Sequence, residues 1–290
     1  MSESRFVAAL NLGTVQGLPS WSTAPTGNAD AIAAGLWAAG YRGVQGTEDP
    51  AYGRAGFVTY GSGRVVFPHE AQEVLQRQQQ AGHACTTLHV GTGFESDSEA
   101  LRLIEAILGA SARLGHPAHV ETHRATITQD IWRTMRWVQL MPEITFNADL
   151  SHWYTGLEMP YGDFAAKMAF MQPFFDRVRF VHGRIGSGGA IQIAVSVGGH
   201  DEPHVSRFKQ MWQHCFAGFL ANAPAEESIV FAPELLPEAV DTANRPLFID
   251  YALTTKGDDG AFHEGSDRWE QGLRLTEMAR AAFAAALPPA

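Results

Sequence analysis

Apolar, β-rich runs alternate with helical patterns along almost the whole chain. Four of these runs end on a side chain that metals accept: HVETHR at Glu121, FNADLSHW at Asp149, RFVHGR at His182 and VFAPELLP at Glu234. Such alternation marks a parallel sheet with helical crossovers. The four residues are separated by 28, 33 and 52 positions, too far apart for a local ligand motif but close to a supersecondary repeat. One βα unit of a (β/α)8 barrel takes about 30 residues, and such barrels carry their chemistry at the C-terminal ends of the strands. The fold class expected is therefore α/β, a TIM-type (β/α)8 barrel with one divalent cation at its mouth.

A chain of 290 residues with 45% hydrophobic content fills one large core, so residues 1–290 read as a single domain. The net charge is −10, with 21 basic against 31 acidic residues and no basic run. A phosphate backbone would be repelled, which argues against a nucleic-acid partner. The two cysteines, Cys85 and Cys215, have neither CxxC spacing nor a framework of pairs, which fits a reducing cytoplasm. The N-terminus passes from polar residues straight into a short apolar strand, and no apolar run approaches the roughly 20 residues that span a bilayer. No membrane partner is expected.

Phe6 to Leu12 reads as the first strand, Asp30 to Gly40 as a helix capped by Asn28 or Asp30, and Tyr41 to Gln45 as the second strand. A helix from His69 to Gln80 leads to a strand over Cys85 to Gly91. Ser98 to Leu114, the clearest amphipathic helix, leads to the Glu121 strand. Helices over Gln129 to Leu140, Asp163 to Phe174, His204 to Leu220 and Asp267 to Ala286 alternate with strands over Ile144 to Asp149, Val178 to His182 and Ile229 to Pro233. The strand count stops one short of eight. Phe57 to Phe67 reads as an irregular hairpin, and Leu247 to Leu253 as a terminal strand or an extended crossing segment, so one βα unit of the first half is irregular or missing. Glu121 then falls on strand 4 or strand 5. The segment 183–203 carries six glycines, accounts for the long third interval and reads as a mobile lid over the mouth. Its Ile191 to Val195 core is apolar enough to pack over the mouth or against a second subunit, which leaves a homo-oligomer open.

Taken singly, an acidic residue at a strand tip is usually a helix cap or a salt-bridge partner. Glu121, Asp149, His182 and Glu234 together are different, because three carboxylates gathered without a cation would repel strongly. Three carboxylate oxygens and one imidazole form a hard ligand set that favours Mn2+, with Mg2+, Co2+ and Zn2+ also compatible.

These segments resemble the xylose isomerase-like TIM-barrel superfamily of sugar isomerases and epimerases, over most of the chain. The resemblance implies one divalent ion shared by Glu121, Asp149, His182 and Glu234, with Glu121 and Glu234 as acid/base residues. It also implies that His152, three beyond Asp149, and Arg184, two beyond His182, bind a carbohydrate substrate. Many relatives carry a different polar residue at the Arg184 position, so the substrate need not be a standard free ketose.

An ion bridging a carbonyl and its neighbouring hydroxyl would stabilise an enediolate, and two opposed glutamates could remove and return the proton. Isomerisation, epimerisation and loss of a β-hydroxyl by a dehydratase or lyase all follow from that chemistry. A nuclease of the endonuclease IV branch would need more histidine ligands and a basic groove. A non-catalytic sugar-binding barrel is the reading from another class.

Further substrate-contact candidates are His89 at an earlier strand tip and Asn11 at the end of the first strand. His123, two beyond Glu121, is either a supporting partner of Glu121 or packed against the Trp132 helix. Trp153 is either a flat face for a sugar ring or a core residue. His200 and His204 read as surface or capping residues. No Lys/Arg cluster marks a phosphate pocket, although Arg124 and Arg184 leave one open.

Overall fold

The computed structural model describes residues 5–196, 202–241, 246–248 and 251–288. Eight parallel strands close into a barrel in chain order: β1 (Phe6–Asn11), β2 (Gly43–Gln45), β3 (Val58–Val65), β4 (Thr86–Val90), β5 (Ala118–Glu121), β6 (Phe146–Ala148), β7 (Val178–Gly183) and β8 (Ile229–Pro233). Closure comes from β1, which pairs with β2 on one side and β8 on the other. Around the barrel lie α1 (Ala29–Ala38), α2 (Pro50–Arg54), α3 (Glu70–Gln80), α4 (Asp97–Leu114), α5 (Ile131–Leu140), α6 (Leu150–Gly156), α7 (Phe164–Phe170), α8 (Gln172–Phe175), α9 (Pro203–Asn222) and α10 (Arg268–Ala286). None of the described helices is long and apolar enough to cross a membrane.

The helix boundaries follow local chemistry. At the start of α4, Ser96 and Glu99 form a reciprocal capping box, and Gly115 ends the helix in the left-handed region at φ 62°. Asn28 caps α1 by accepting from the Ala31 amide. The helix expected over Asp163 to Phe174 divides at Met171 into α7 and α8, with Pro173 in the first turn of α8.

Two expectations are corrected. Phe57 to Phe67 contains no hairpin. Val58–Val65 is a single strand, parallel to β2 and β4. Its glycines are sites of close packing instead of turns: a Cβ on Gly61 would lie 2.3 Å from Gln78 Oε1, and one on Gly63 would lie 2.9 Å from Val74 Cγ1. No βα unit is therefore missing, and Glu121 ends the fifth strand. Leu247 to Leu253 supplies no barrel strand. Pro246–Phe248 (β10) pairs antiparallel with Ala239–Asp241 (β9), and a second two-stranded ribbon, Thr254–Lys256 (β11) with Phe262–Glu264 (β12), follows before α10. Residues 249 and 250 lie outside the described residues.

Two apolar layers hold the barrel. The large outer cluster packs helix faces against the sheet, with Trp137, Trp212, Phe208 and Phe231 fully buried. A smaller cluster, Ala9, Tyr60, Cys85, Phe180, Val230 and Ala232, fills the interior. Side chains alternate across a strand, so the residue two beyond each interior member faces inward as well. Ala9 leads to Asn11, Phe180 to His182, and Ala232 to Glu234. An apolar floor thus rises to a polar rim.

Packing and pH give two expected outcomes. Gly218 lies within α9, where helix propensity alone would make Gly→Ala favourable by about 1 kcal/mol. A Cβ there would meet Phe175 O at 2.5 Å and the Asp176 amide nitrogen at 2.8 Å. Backbone cannot step aside, so Gly218→Ala should destabilise the fold by about 1–3 kcal/mol, read as a lower urea midpoint with an unchanged slope. His116 is buried against Thr86 Oγ1 at 2.7 Å. Burial, and then the charge of His83, push its pKa below the ordinary histidine value. The unfolded chain therefore takes up that proton first, and stability present above about pH 6.5 drains as pH falls. His116→Gln should lose less stability than the parent between about pH 7 and pH 5 by thermal unfolding.

Candidate metal centre and active site

Glu121, Asp149, His182 and Glu234 each present one ligand atom, and these four atoms lie within 4.8 Å of one another. They come from the tips of β5, β7 and β8 and from Asp149, the N-cap of α6. All are buried except Glu234, whose side chain is 15% exposed.

Each ligand candidate is held by a neighbour. His182 Nε2 donates to Gln45 Oε1 at 2.8 Å. Gln45 Nε2 in turn donates to Thr87 Oγ1 at 2.9 Å, which keeps the Gln45 oxygen turned to the imidazole. With the hydrogen on Nε2, His182 Nδ1 faces the cup, where it lies 3.1 Å from Asn147 Nδ2, 3.5 Å from Glu121 Oε2 and 3.4 Å from Glu234 Oε2. Asn147 Nδ2 donates to Glu121 Oε2 at 2.9 Å. Asn11 Nδ2 donates to Glu234 Oε1 at 2.9 Å, so Asn11 positions a glutamate. Ser151 donates to Asp149 Oδ1 through its hydroxyl at 2.5 Å and its amide at 3.2 Å, which leaves Oδ2 for the cup.

Arg184 Nη2 reaches both Asp149 Oδ2, at 2.9 Å, and Glu234 Oε2. The ring of Tyr251 lies over this guanidinium, 4.7 Å from centroid to Cζ. Arg184 and Tyr251 are 1% and 5% exposed, so the mouth is covered on that side. The open side is marked by His89, whose side chain is 31% exposed and whose Nε2 is 2.9 Å from Glu121 Oε1.

Electrostatics follow from this crowding. Burial raises the Glu121 and Asp149 carboxyls, but His182 and His89 beside the first and Arg184 and His152 beside the second outweigh it, so both stay well below the usual carboxylate range. Burial lowers His182, yet Glu234 and Glu121 lift it to about 9. His89 rises for the same reason, burial being outweighed by Glu121. His123 is pushed down to about 2 by burial and by His152 and His89, and burial also lowers His152.

A divalent cation fits these donors: three carboxylates and one oriented imidazole on four barrel elements, with the outer hydrogen bonds already made. Of the seven buried side-chain nitrogen and oxygen atoms without a hydrogen-bond partner among the described residues, five cluster here. They are Asn147 Oδ1, both ring nitrogens of His152, and Arg184 Nε and Nη1. Buried polar atoms without partners are rare and call for a ligand. His89, Glu121 and His123 form a second group of close donors. The Arg64 guanidinium sits 3.2 Å from His89 Nδ1 and opposes a further cation there.

The other candidates divide. His89, His123 and His152 form a stack, with centroids 4.1 Å apart for the first pair and 3.9 Å for the second. His123 therefore does not pack on Trp132, which is 71% exposed. Trp153 is corrected to a core residue: it is fully buried, donates to Thr128 O at 2.7 Å and packs on Phe174, so it offers no face to a sugar. Gln45, Asn147, Arg64 and Tyr251 are the residues that sequence reasoning passed over. Gln45 and Asn147 had a legible signal, as polar residues ending or punctuating apolar strands on the inward phase.

Segment 183–196 is tied down in this structure. Thr155 Oγ1 donates to Ser187 O at 2.9 Å, and the Gln192 amide pairs both ways with the Leu236 backbone at 2.9 Å. Ile191 and Val195 are covered within the chain itself. Residues 197–201, including His200, lie outside the described residues, and His204 pairs with Glu202 at 2.9 Å at the start of α9.

No protein-family model matches the sequence, and no curated protein is significantly similar to it. Solved structures do match. A xylose isomerase-like TIM barrel protein from Mycobacterium smegmatis, in complex with magnesium, has 9% identity and a TM-score of 0.57, over 99% of both chains. A D-tagatose 3-epimerase-like protein has 10% identity and a TM-score of 0.56, over 97% of this chain and 100% of that one. A probable 3-DHS dehydratase from Bacillus anthracis has 12% identity and a TM-score of 0.50, over 79% of this chain and 92% of that one. At these identities the likeness is one of fold: the chain is built as a TIM-type (β/α)8 barrel.

Proposed function

We propose that this chain is a divalent-metal-dependent isomerase or epimerase of a sugar or related keto-polyol. One observation carries the reading: three carboxylates and an imidazole from separate barrel elements meet within 4.8 Å. The solved neighbours described as D-tagatose 3-epimerase-like and as a magnesium complex support it. Glu121, Asp149, His182 and Glu234 would hold the ion, Mn2+ in preference to Mg2+, Co2+ or Zn2+. Once bound, the ion supplies Lewis-acid polarisation of the substrate carbonyl and its neighbouring hydroxyl.

The rest belongs to the chain's own residues. Glu121 and Glu234 reach the cup from β5 and β8, on either side of His182 Nδ1. One takes the proton from the carbon beside the carbonyl, and the other delivers a proton to the neighbouring carbon or to the opposite face. His152 and Arg184, with unpartnered buried nitrogens, hold substrate oxygens. His89 and His123 line the same side, and Asn11 fixes the angle of Glu234. Residues 1–290 act as one catalytic unit, with Tyr251 covering the mouth beside Arg184. Two buried free thiols, Cys85 and Cys215, suit a reducing cytoplasm.

Loss of water is the second reading. Proton removal beside the carbonyl also sets up loss of a β-hydroxyl, and one fold neighbour is described as a probable dehydratase. A product lighter than its substrate by one water would identify it.

Proton exchange from deuterated water into a ketose panel tests the first reading. Exchange should fall by about 10²–10⁴-fold in Glu234→Gln and vanish on chelation. Exchange that survives both changes would rule it out. Gln45→Leu should leave the barrel intact and weaken Mn2+ binding by about 10–100-fold in calorimetric titration, because His182 Nδ1 is no longer aimed.

A further inference from the structure

We infer that the barrel has a second binding site, in a cavity at the N-terminal ends of its strands, for a small neutral molecule that joins an apolar body to an O–H or N–H donor. The site is independent of the keto-polyol reading. The cavity has a volume of about 400 Å³, within the roughly 300–1,000 Å³ of small-molecule pockets. Cys85, His119, Thr145 and Val230 line it together with Tyr60. The first four sit at or just before the starts of β4, β5, β6 and β8. On three of these strands the cavity residue stands two positions before one that serves the cup: Cys85 before Thr87, His119 before Glu121, and Thr145 before Asn147. Two residues of strand span about 7 Å, so the cavity lies beneath the cup and apart from it.

Two buried side chains leave polar atoms unused there. Tyr60 and His119 are 5% and 8% exposed. Thr145 Oγ1 donates to Ala118 O at 3.2 Å, so towards His119 Nδ1, 2.9 Å away, it accepts. The ring hydrogen is therefore on Nδ1, and Nε2 keeps a lone pair. Neither that nitrogen nor the Tyr60 hydroxyl has a hydrogen-bond partner among the described residues. Leaving buried polar groups unpaired is costly. A ligand hydroxyl offers a donor to His119 Nε2 and an acceptor to the Tyr60 hydroxyl.

Charge selects a neutral occupant. Burial pushes the Cys85 thiol up to about 12 and raises the Tyr60 hydroxyl, while burial and then Arg179 push the His119 imidazole down to about 3. These inner groups are thus uncharged at neutral pH. Arg179, at the rim, is already engaged, through Nε with Glu227 at 3.2 Å and through Nη1 with Asp176 O and Val178 O. Its charge opposes a cation beside His119, and Glu143 and Glu227 at the entrance oppose an anion. Leu108, Pro117, Ala118 and Val230 meet the apolar body.

Phenol is the probe, neutral at pH 7 and carrying one donor on an apolar ring. In NMR titration of the 15N-labelled full chain, phenol should bind about tenfold more tightly than toluene, which lacks the donor, or benzoate, which is anionic. The His119 Nε2 resonance should move as that nitrogen accepts the phenol hydrogen. Tyr60→Phe should weaken phenol binding about threefold or more and His119→Phe about tenfold, while Glu234→Gln, confined to the cup, keeps the parent affinity. Phenol binding no more tightly than toluene or benzoate overturns the inference. So does an Nε2 resonance unmoved at saturation, or an affinity undiminished in both cavity variants. Each of these results leaves the proton-transfer reading of the cup untouched.

Discussion

Three carboxylates confined to one buried cup govern everything around them. Two unit charges 4.8 Å apart repel by about 3–4 kcal/mol even at an effective dielectric near 20. Three such pairs would consume most of the stability of an ordinary domain. The fold is tolerable only because cations are built in beside them. Arg184 touches Asp149 and Glu234, and His182 faces Glu121 and Glu234. A divalent ion would meet a site already arranged for positive charge, where Glu234 and Glu121 lift the His182 imidazole above its ordinary value. Gln45, Asn147, Asn11 and Ser151 then decide which atom of each ligand points inward.

The barrel's alternating phase explains why those supporting residues are where they are. An inward position near the floor must be apolar to fill the interior, as Ala9, Phe180 and Ala232 do. The next inward position, two residues on, reaches the rim and can be polar at little cost, because partners from neighbouring strands satisfy it. Asn11, His182 and Glu234 occupy that second tier. The three-residue strand β2 contributes only Gln45 to it, and this one amide links Asn11, His182 and Thr87.

Much of this was legible beforehand, and the failures have physical causes. Glu121, Asp149, His182 and Glu234 stood out because each polar tip interrupts an apolar strand at barrel spacing. Gln45 and Asn147 obey the same rule but carry no charge, so the repulsion that drew attention to the carboxylates was silent about them. Val58–Val65 was misread because its glycines imitate a turn, when they make room for Gln78 and Val74. That misreading also hid Arg64 at the strand's end. Tyr251 follows no periodic pattern, since it belongs to the long excursion after β8 and lies over the guanidinium of Arg184, far from it in sequence.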